Sequence, residues 1–591
     1  MISVSNEFKK AIKKPERQIK GYVEVLYDLP SQSYTPIVQI QPTYSSLEDL
    51  SNGSRVKNLY GSLDYLPLDG SYLTMDESNN ENIGYISDDI ADEYRFGIFG
   101  SFHYHFENPI TIKGITVYTR TNIVTDYSID TTKSDNTRII YHGSNDKEVI
   151  QYIYDSPVEI IDVYINFDGM DDWSKKIYVE YIDLGVSQVY KNQDLIEFTV
   201  DEEVNKLVEE VPINETNITL NNMSDLFNPL NPKGIVPYLS ENTLIKPFIG
   251  VLTDNSGVEY VKMGEFYFDS YTNNSDSTTT LVGKNIINQT KNMDIIQGLA
   301  NHQEHNNYID SSIPSMQDLR NTRKALIESA GIECEVNINS LVAHSIANMK
   351  SCNLLDYLKD CTAVTFGIVY ANRDNKIILR NPVIPNVDVL TKNELINDAK
   401  YKKIEKINTI NRKGIVFSGA LTQNEYEVIS YSFKLTSSPQ LILVNHRNLG
   451  FGTVNFTGAS SVTTKHETEF FSIFEITGTI GTTVELTATT NYDIKEKESS
   501  KIFTYKQPNE KEVLLETKTY LHNISGNFEL LNGQLDYAPS YEMSFDYNGD
   551  PSLEAGDYIN VETPYGYKPL FIQKNRFRFD GGLEGSIEGV E

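Results

Sequence analysis

The chain has 591 residues, 39% of them apolar, and carries 82 acidic against 51 basic side chains, a formal charge of −31. That length exceeds what one hydrophobic core organises, so about three to five domains are expected. A surface that grips nucleic acid needs clustered cations, and the acidic balance argues against one. No run approaches the ~20 apolar residues of a membrane helix, and residues 1–20 are charged without the apolar centre of a signal peptide, so synthesis in a cytoplasm is expected.

Tyrosine occurs 38 times and tryptophan once, at Trp173, with Asn, Thr and Ser plentiful between short apolar alternations, as in an all-β chain. In chain order, residues 7–14 predict a short amphipathic helix and 17–27 a strand. Residues 42–188 then carry a strand set of their own. Phe102, Tyr104 and Phe106 alternate with His103 and His105, and strands at 110–118, 139–142, 149–154, 158–167 and 177–184 follow between turns, which predicts a sandwich. Strand signals of the first kind return at 198–200, 217–220, 245–251 and 257–269, where Gly264 marks a bulge or corner. Residues 42–188 thus lie between two runs, 1–41 and 189–290, the second of which reads as the continuation of the first. Residues 273–280 predict a hairpin turn.

Residues 291–400 change character. Met316, Leu319, Leu326, Ile327 and Ala330 share a helical face, with Ser315 as N-cap and Gly331 as the stop. A second helix carries Leu354, Leu355, Leu358 and Cys361. A hairpin follows over 365–379 around Asn372-Arg373-Asp374-Asn375, so an α+β domain is expected. Residues 401–505 return to β signals, with 453–487 read as a small β insertion, and 506–591 form a C-terminal β region.

The last fifty residues are the most specific. Gly549-Asp550-Pro551 and Gly556-Asp557 make two tight turns that bracket Leu553: proline fixes φ, Gly556 permits a left-handed residue, and Asp557 can bond the following backbone. Ile559 and Val561 alternate with Tyr558 and Asn560, and Phe577 and Phe579 with Arg576 and Arg578, before Asp580-Gly581-Gly582-Leu583-Glu584-Gly585 closes a small β domain. The unit Gly-Asp-Pro-x-Leu-x-x-Gly-Asp, a strand, and Asp-Gly-Gly-Leu-x-Gly resembles the C-terminal end of tail hub proteins of phages infecting Gram-positive bacteria. Glu259-Tyr260-Val261, Met263-Gly264, Phe266-Tyr267 and Asp269 look like the first barrel of that family, and the helix, helix, hairpin order of 291–400 resembles its second domain. The run from His105 to Tyr118, ending at Lys175 to Gly185, is similar to galactose-binding-like β-sandwiches.

The chain thus resembles the trimeric baseplate or tail hubs of phage tails and contractile injection particles. The resemblance implies a mainly β, multidomain fold: a split β-barrel with an inserted β-sandwich, an α+β domain and a C-terminal β-barrel region. It implies a structural protein, not an enzyme, whose homotrimeric ring adapts a hexameric tail tube to a threefold tip and passes DNA or tape measure. Its partners would be the tube or distal tail protein, the tape-measure protein, a spike or fibre and other baseplate proteins. Its place would be the baseplate of a virion tail or bacteriocin particle. The charge of −31 reads either as solubility or as an acidic lumen along which DNA slides. A carbohydrate-binding adhesion protein, through residues 42–188, and a tail-associated cell-wall hydrolase are the alternatives.

No catalytic, cofactor-binding or metal residue is assigned. His302-Gln303-Glu304-His305 lacks the His-Glu-x-x-His spacing and a third ligand, so a solvated loop is the simpler reading. His103 and His105 share a strand face that could hold zinc but reads better as an exposed face. Asp88-Asp89-Ile90-Ala91-Asp92-Glu93 and Asp168-Gly169-Met170-Asp171-Asp172 offer oxygens for calcium without an EF-hand pattern, with solvated turns as the alternative. Trp173 could stack on a sugar but reads better as a loop anchor. Cys334, Cys352 and Cys361 match neither a disulfide framework nor a zinc site and are expected to be buried small hydrophobes.

Overall fold

Strands dominate the computed structural model, which describes residues 2–27, 37–38, 85–90, 101–119, 123–147, 149–171, 176–205, 210–231, 234–253, 257–274, 277–293, 324, 327–328, 330–337, 353–365, 367–381, 388–445, 452–467, 471–504, 511–519 and 541–590. The protein is mainly β and multidomain, as its alternation requires. It divides into one unit of Ser3–Phe198 with Asn217–Gly283 and another of Met1–Ile2, Thr199–Thr216 and Lys284–Glu591.

The first unit opens with helix α1 (Asn6–Ile12), where the Ser5 hydroxyl accepts the Phe8 amide at 2.9 Å and Phe8, Ala11 and Ile12 are buried. Strand β1 (Ile19–Tyr27) follows. Next come β2 (Ile37–Val38), which lies within 1–41 and not within 42–188, β3 (Tyr85–Ile90), β4 (Ser101–Thr119), β5 (Val124–Lys133), β6 (Arg138–Ser144), β7 (Val149–Met170) and β8 (Lys176–Asp183). These pair in the order β3-β8-β4-β7-β5-β6, with β2 on β4. Phe102, Tyr104, Ile129, Ile150, Val163 and Phe167 are among the side chains of their core. Two expected pairs of strands are each one long strand. Register shifts in the ladder between β4 and β7, between His105 and Ile110 and between Ile112 and Gly114, let β4 continue past Pro109.

The chain continues as β9 (Val186–Lys191), β10 (Leu195–Glu203), β11 (Glu215–Asn221), β12 (Leu244–Thr253), β13 (Gly257–Lys262), β14 (Phe266–Asn273) and β15 (Thr278–Lys284). Strand β1 lies between β9 and β12, with Tyr27 opposite Val186 and Tyr22 opposite Phe248, on whose ring it stacks at 4.5 Å. The pairing runs β9-β1-β12-β14-β15-β11-β10, with β13 on β12. The closed barrel expected from 1–41 and 189–290 is therefore not formed among the described residues. Beyond β9 the Ser187 carbonyl accepts the Gln151 amide at 2.7 Å, and the Ser187 hydroxyl meets the Tyr118 hydroxyl at 3.0 Å, so inserted side chains occupy the edge that a closing strand would use. Gly264 (φ +141°) is a corner between β13 and β14, not a bulge within a strand.

In the second unit α2 (Ile287–Thr290), β16 (Cys334–Asn337), α3 (Leu354–Thr365), β17 (Ile368–Ala371) and β18 (Ile377–Arg380) form the α+β part, with sheet order β16-β18-β17. The hairpin β17–β18 turns at Asn375 (φ +57°). The helix expected to begin at Ser315 lies largely outside the described residues, although Gly331 (φ +81°) follows Ile327 and Glu328 as its stop.

Then come β19 (Asp388–Leu390), β20 (Lys400–Lys403), β21 (Thr409–Lys434), β22 (Gln440–Asn445), β23 (Gly452–Thr457), β24 (Ser461–Glu467), β25 (Phe471–Thr477), β26 (Thr483–Thr504), β27 (Leu514–Thr519), β28 (Tyr541–Tyr547), β29 (Tyr558–Thr563), β30 (Gly566–Phe579) and β31 (Leu583–Val590). Strands β21 and β26 are long partners whose far ends, with β22 to β25, enclose a small core that includes Leu435, Phe474, Ile476 and Leu486. The insertion expected at 453–487 is thus broader and includes β22. The C-terminal strands pair as β20-β28-β31-β30, with β29 on β30 and β19 on β29. This region also stays open among the described residues, ending at β20, whose Lys-Tyr-Lys-Lys is exposed throughout, a composition that blunts a free edge.

Candidate functional site

The two halves of the C-terminal signature fold onto each other. Asp550 builds the first turn: its carboxylate accepts the Ser552 amide at 2.9 Å and the Ser552 hydroxyl at 2.7 Å. Gly549 (φ +76°) and Gly556 (φ +95°) both need the left-handed region. A Cβ on Gly549 would lie 2.8 Å from Leu583, and one on Gly585 would lie 2.3 Å from the ring of buried Tyr547. Small residues therefore stand where the second half of the signature crosses the first. Asp557 differs from expectation, since its carboxylate takes the Glu554 amide three residues earlier at 2.9 Å.

Behind this loop sits Arg373, only 4% exposed, from the β17–β18 turn. Its Nε donates to Glu202 Oε1 at 2.6 Å, Nη2 to the Leu553 carbonyl at 2.8 Å and Nη1 to the Pro551 carbonyl. The guanidinium lies over the Phe577 ring at 5.6 Å and 3.8 Å from Glu554. The other oxygen of Glu202 accepts the Ala555 amide at 3.2 Å, and Asn575 ties the Leu553 carbonyl to the Tyr547 hydroxyl. Burial pushes the Glu554 carboxyl up to about 7, with Arg373 opposing the rise and Glu202 adding to it. This network ties the 550–557 loop to the β17–β18 turn and to Glu202.

Arg373 and Glu202 were missed by sequence reasoning. Asn-Arg-Asp-Asn reads as an exposed turn, and the only available signal was an arginine beside a domain with many carboxylates.

Other candidates separate cleanly. The rings of His103 and His105 both meet one oxygen of Asp162, at 2.9 and 2.8 Å, and His103 stacks on Tyr164 at 3.9 Å. Although partial burial opposes it, these two hydrogen bonds hold the Asp162 carboxyl below the ordinary range. The shared strand face is real, but its nitrogens are engaged by a carboxylate. Among the described residues, no group of three or more His, Cys, Asp or Glu could hold a metal ion. Asp168 and Asp171 are exposed, and Asp171 accepts the Ile123 amide at 3.3 Å. His302, Glu304, His305, Trp173, Asp172, Asp92, Glu93 and Cys352 lie outside the described residues, as do the side chains of Asp88 and Asp89. Cys334 and Cys361 are buried free thiols, and burial pushes the Cys334 thiol up to about 12.

No protein-family model and no curated protein matches the chain. Solved structures that it resembles include the tail protein from Neisseria meningitidis MC58 (8% identity, TM-score 0.34, 68% of this chain and 93% of that one). A second is the prophage tail protein gp18 from Listeria monocytogenes EGD-e (9%, TM-score 0.33, 68% and 91%). A third is a chain of the half-lidded Francisella PdpA–VgrG complex (9%, TM-score 0.29, 68% and 55%). At these scores the likenesses assign neither fold family nor role.

Proposed function

We propose that this chain is a structural hub of a tail or baseplate. Three copies form a ring that adapts a hexameric tube to a threefold tip or spike and leaves a passage for DNA or tape measure. The division into 1–41 with 189–290, 42–188, 291–400, 401–505 and 506–591 belongs to the same reading, as do the partners expected from the sequence and a place at the tail end of the particle. The role is assembly and not catalysis.

The observation that supports it is the union of 549–557 with 580–585 around Arg373: the motif that resembles tail hubs is one packed unit, so its spacing has a structural cause. Native mass measurement of the full chain tests the reading. A stable assembly of three 67.0-kDa protomers, seen as rings with a central pore, is expected. A chain that stays monomeric at every concentration and fails to bind isolated tail tubes would overturn it.

One observation favours glycan binding by residues 42–188 as an added role. His103, Tyr164, Asp130 and Ile140 form one cross-strand row, and His105, Asp162, Thr132 and Arg138 the next, with Tyr164 36% exposed and Ile140 55%. Binding of the full chain to a glycan array tests it, and the absence of any signal that is lost on Tyr164→Ala removes it.

A further inference from the structure

Across β4, β7, β5 and β6 the two faces of the sheet are unlike. Phe102, Ile165 and Ile129, opposite one another in the ladders, are fully buried in the core. The residues one step along take the other face, so His103, Tyr164, Asp130 and Ile140 stand there in one row. No register shift interrupts the three ladders at this row. The row is uneven in height: Tyr164 and Ile140 are large and 36% and 55% exposed, whereas Asp130 between them is short and 13% exposed.

Tyr164 stacks on His103 with ring centroids 3.9 Å apart, so one face of its ring is taken and the other turns toward Asp130 and Ile140. Strands β7 and β6 lie two spacings apart, roughly 9.5 Å. Contact with each wall takes about 4 Å, which leaves the width of one saturated six-membered ring. The floor offers both kinds of hydrogen bond. Arg138, in the next row, donates from Nε to Asp130 Oδ1 at 3.2 Å and from Nη2 to the other carboxylate oxygen. A guanidinium has five N–H groups and a carboxylate about four lone-pair sites, so donors and acceptors remain side by side. Two neighbouring hydroxyls match that pair, one donating to Asp130 and one accepting from Arg138. The charge disfavours an acidic ligand: with the imidazoles of His103 and His105 neutral, the two rows hold Asp130 and Asp162 against Arg138 alone.

We infer that the slot between Tyr164 and Ile140 binds one uncharged pyranose ring, whose C–H faces lie on these two side chains and whose vicinal hydroxyls meet Asp130 and Arg138. This rests on the glycan reading of residues 42–188 and adds to it the place, the kind of ring and the charge class.

Saturation-transfer NMR on the full chain tests the slot, with the methyl glycosides of galactose, glucose, mannose and N-acetylglucosamine and with glucuronic and galacturonic acids as probes. At least one methyl glycoside is expected to receive saturation at its ring C–H protons, with the uronic acids roughly tenfold weaker. Ile140→Ala and Asp130→Asn are each expected to weaken binding roughly tenfold. Ile140→Trp, which enlarges one wall, is expected to tighten it, and a gain excludes misfolding as the cause. Binding indifferent to both Ile140→Ala and Asp130→Asn, or stronger for the uronic acids, overturns the slot; if Tyr164→Ala still abolishes that binding, the glycan reading stands without it. Saturation of no probe also overturns the slot, and the glycan reading falls with it only if the full chain gives no signal on the glycan array.

Discussion

Replacing Arg373 by methionine keeps the apolar stem and deletes the charge that Glu202 and Glu554 surround. Arg373 and Glu202 are 4% and 5% exposed, so water does not replace the lost partner. Breaking a buried pair by removing one member costs about 3–5 kcal/mol, because the remaining charge is uncompensated. The carbonyls of Pro551 and Leu553 also lose donors, though Asn575 still serves Leu553. The cost should depend on pH. With the guanidinium gone, protonating one carboxyl relieves both, so the loss is greatest near about pH 8 and shrinks near about pH 5. Adding Glu202→Gln should recover part of the loss at the higher pH. Hydrogen exchange of the Leu553, Ala555 and Gly556 amides reports the loop directly, since each donates within this network. Protection unchanged in Arg373→Met, or equal losses at both pH values, would refute the account of a charge locked behind the signature.

Glu554→Gln reads the same cluster from its acidic side. Its folded carboxyl is pushed up to about 7, so the Glu554 contribution to stability is fully present below about 4.5 and is lost as pH rises through 7; the glutamine variant should flatten that part of the slope in urea midpoints. Gly585→Ala drives a methyl into the buried Tyr547 ring and should cost about 1–3 kcal/mol in thermal unfolding, and clearly less in a Tyr547→Leu background. Tyr27→Phe removes one hydroxyl of the buried 2.6 Å pair with Tyr190, whose own hydroxyl keeps Gln188 as acceptor, so a loss of about 0.5–1.5 kcal/mol is expected; a neutral result would show that the pair adds no net stability.

What the sequence made legible was local. Alternation at 19–27 and at 245–251 marked strands, and the apolar faces of Tyr22 and Phe248 meet in the ladder. The turns at 372–375 and 549–557 announced themselves through Asn, Asp, Gly and Pro. Where the reading failed, one signal had two meanings. Asn108-Pro109 and Ser156-Pro157 looked like ends of strands, yet β4 and β7 run through both, because a shift of register absorbs a proline that a regular ladder would reject. The closed barrels failed for another reason: closure depends on which strand meets the last edge, and Gln151 and Tyr118 cap that edge from a segment read as separate. Arg373 and Glu202 are 171 positions apart and His103 and Asp162 are 59 apart, so neither pairing has a local trace.

Tyr27 and Val186 face each other across one ladder, so on the reading of 42–188 as an insertion the chain leaves and rejoins its host at neighbouring points. That reading predicts that the host strands survive excision, with a short turn joining β1 to β9. The seam is nonetheless stitched: Thr116 holds the Gly185 carbonyl, Gln151 and Tyr118 hold Ser187, and a side chain on Gly114 would collide with Val186. A replacement module grafted at this point must therefore bring its own cover for Val186 and Ser187, or it will hang from the host like a pendant where the native one is fastened.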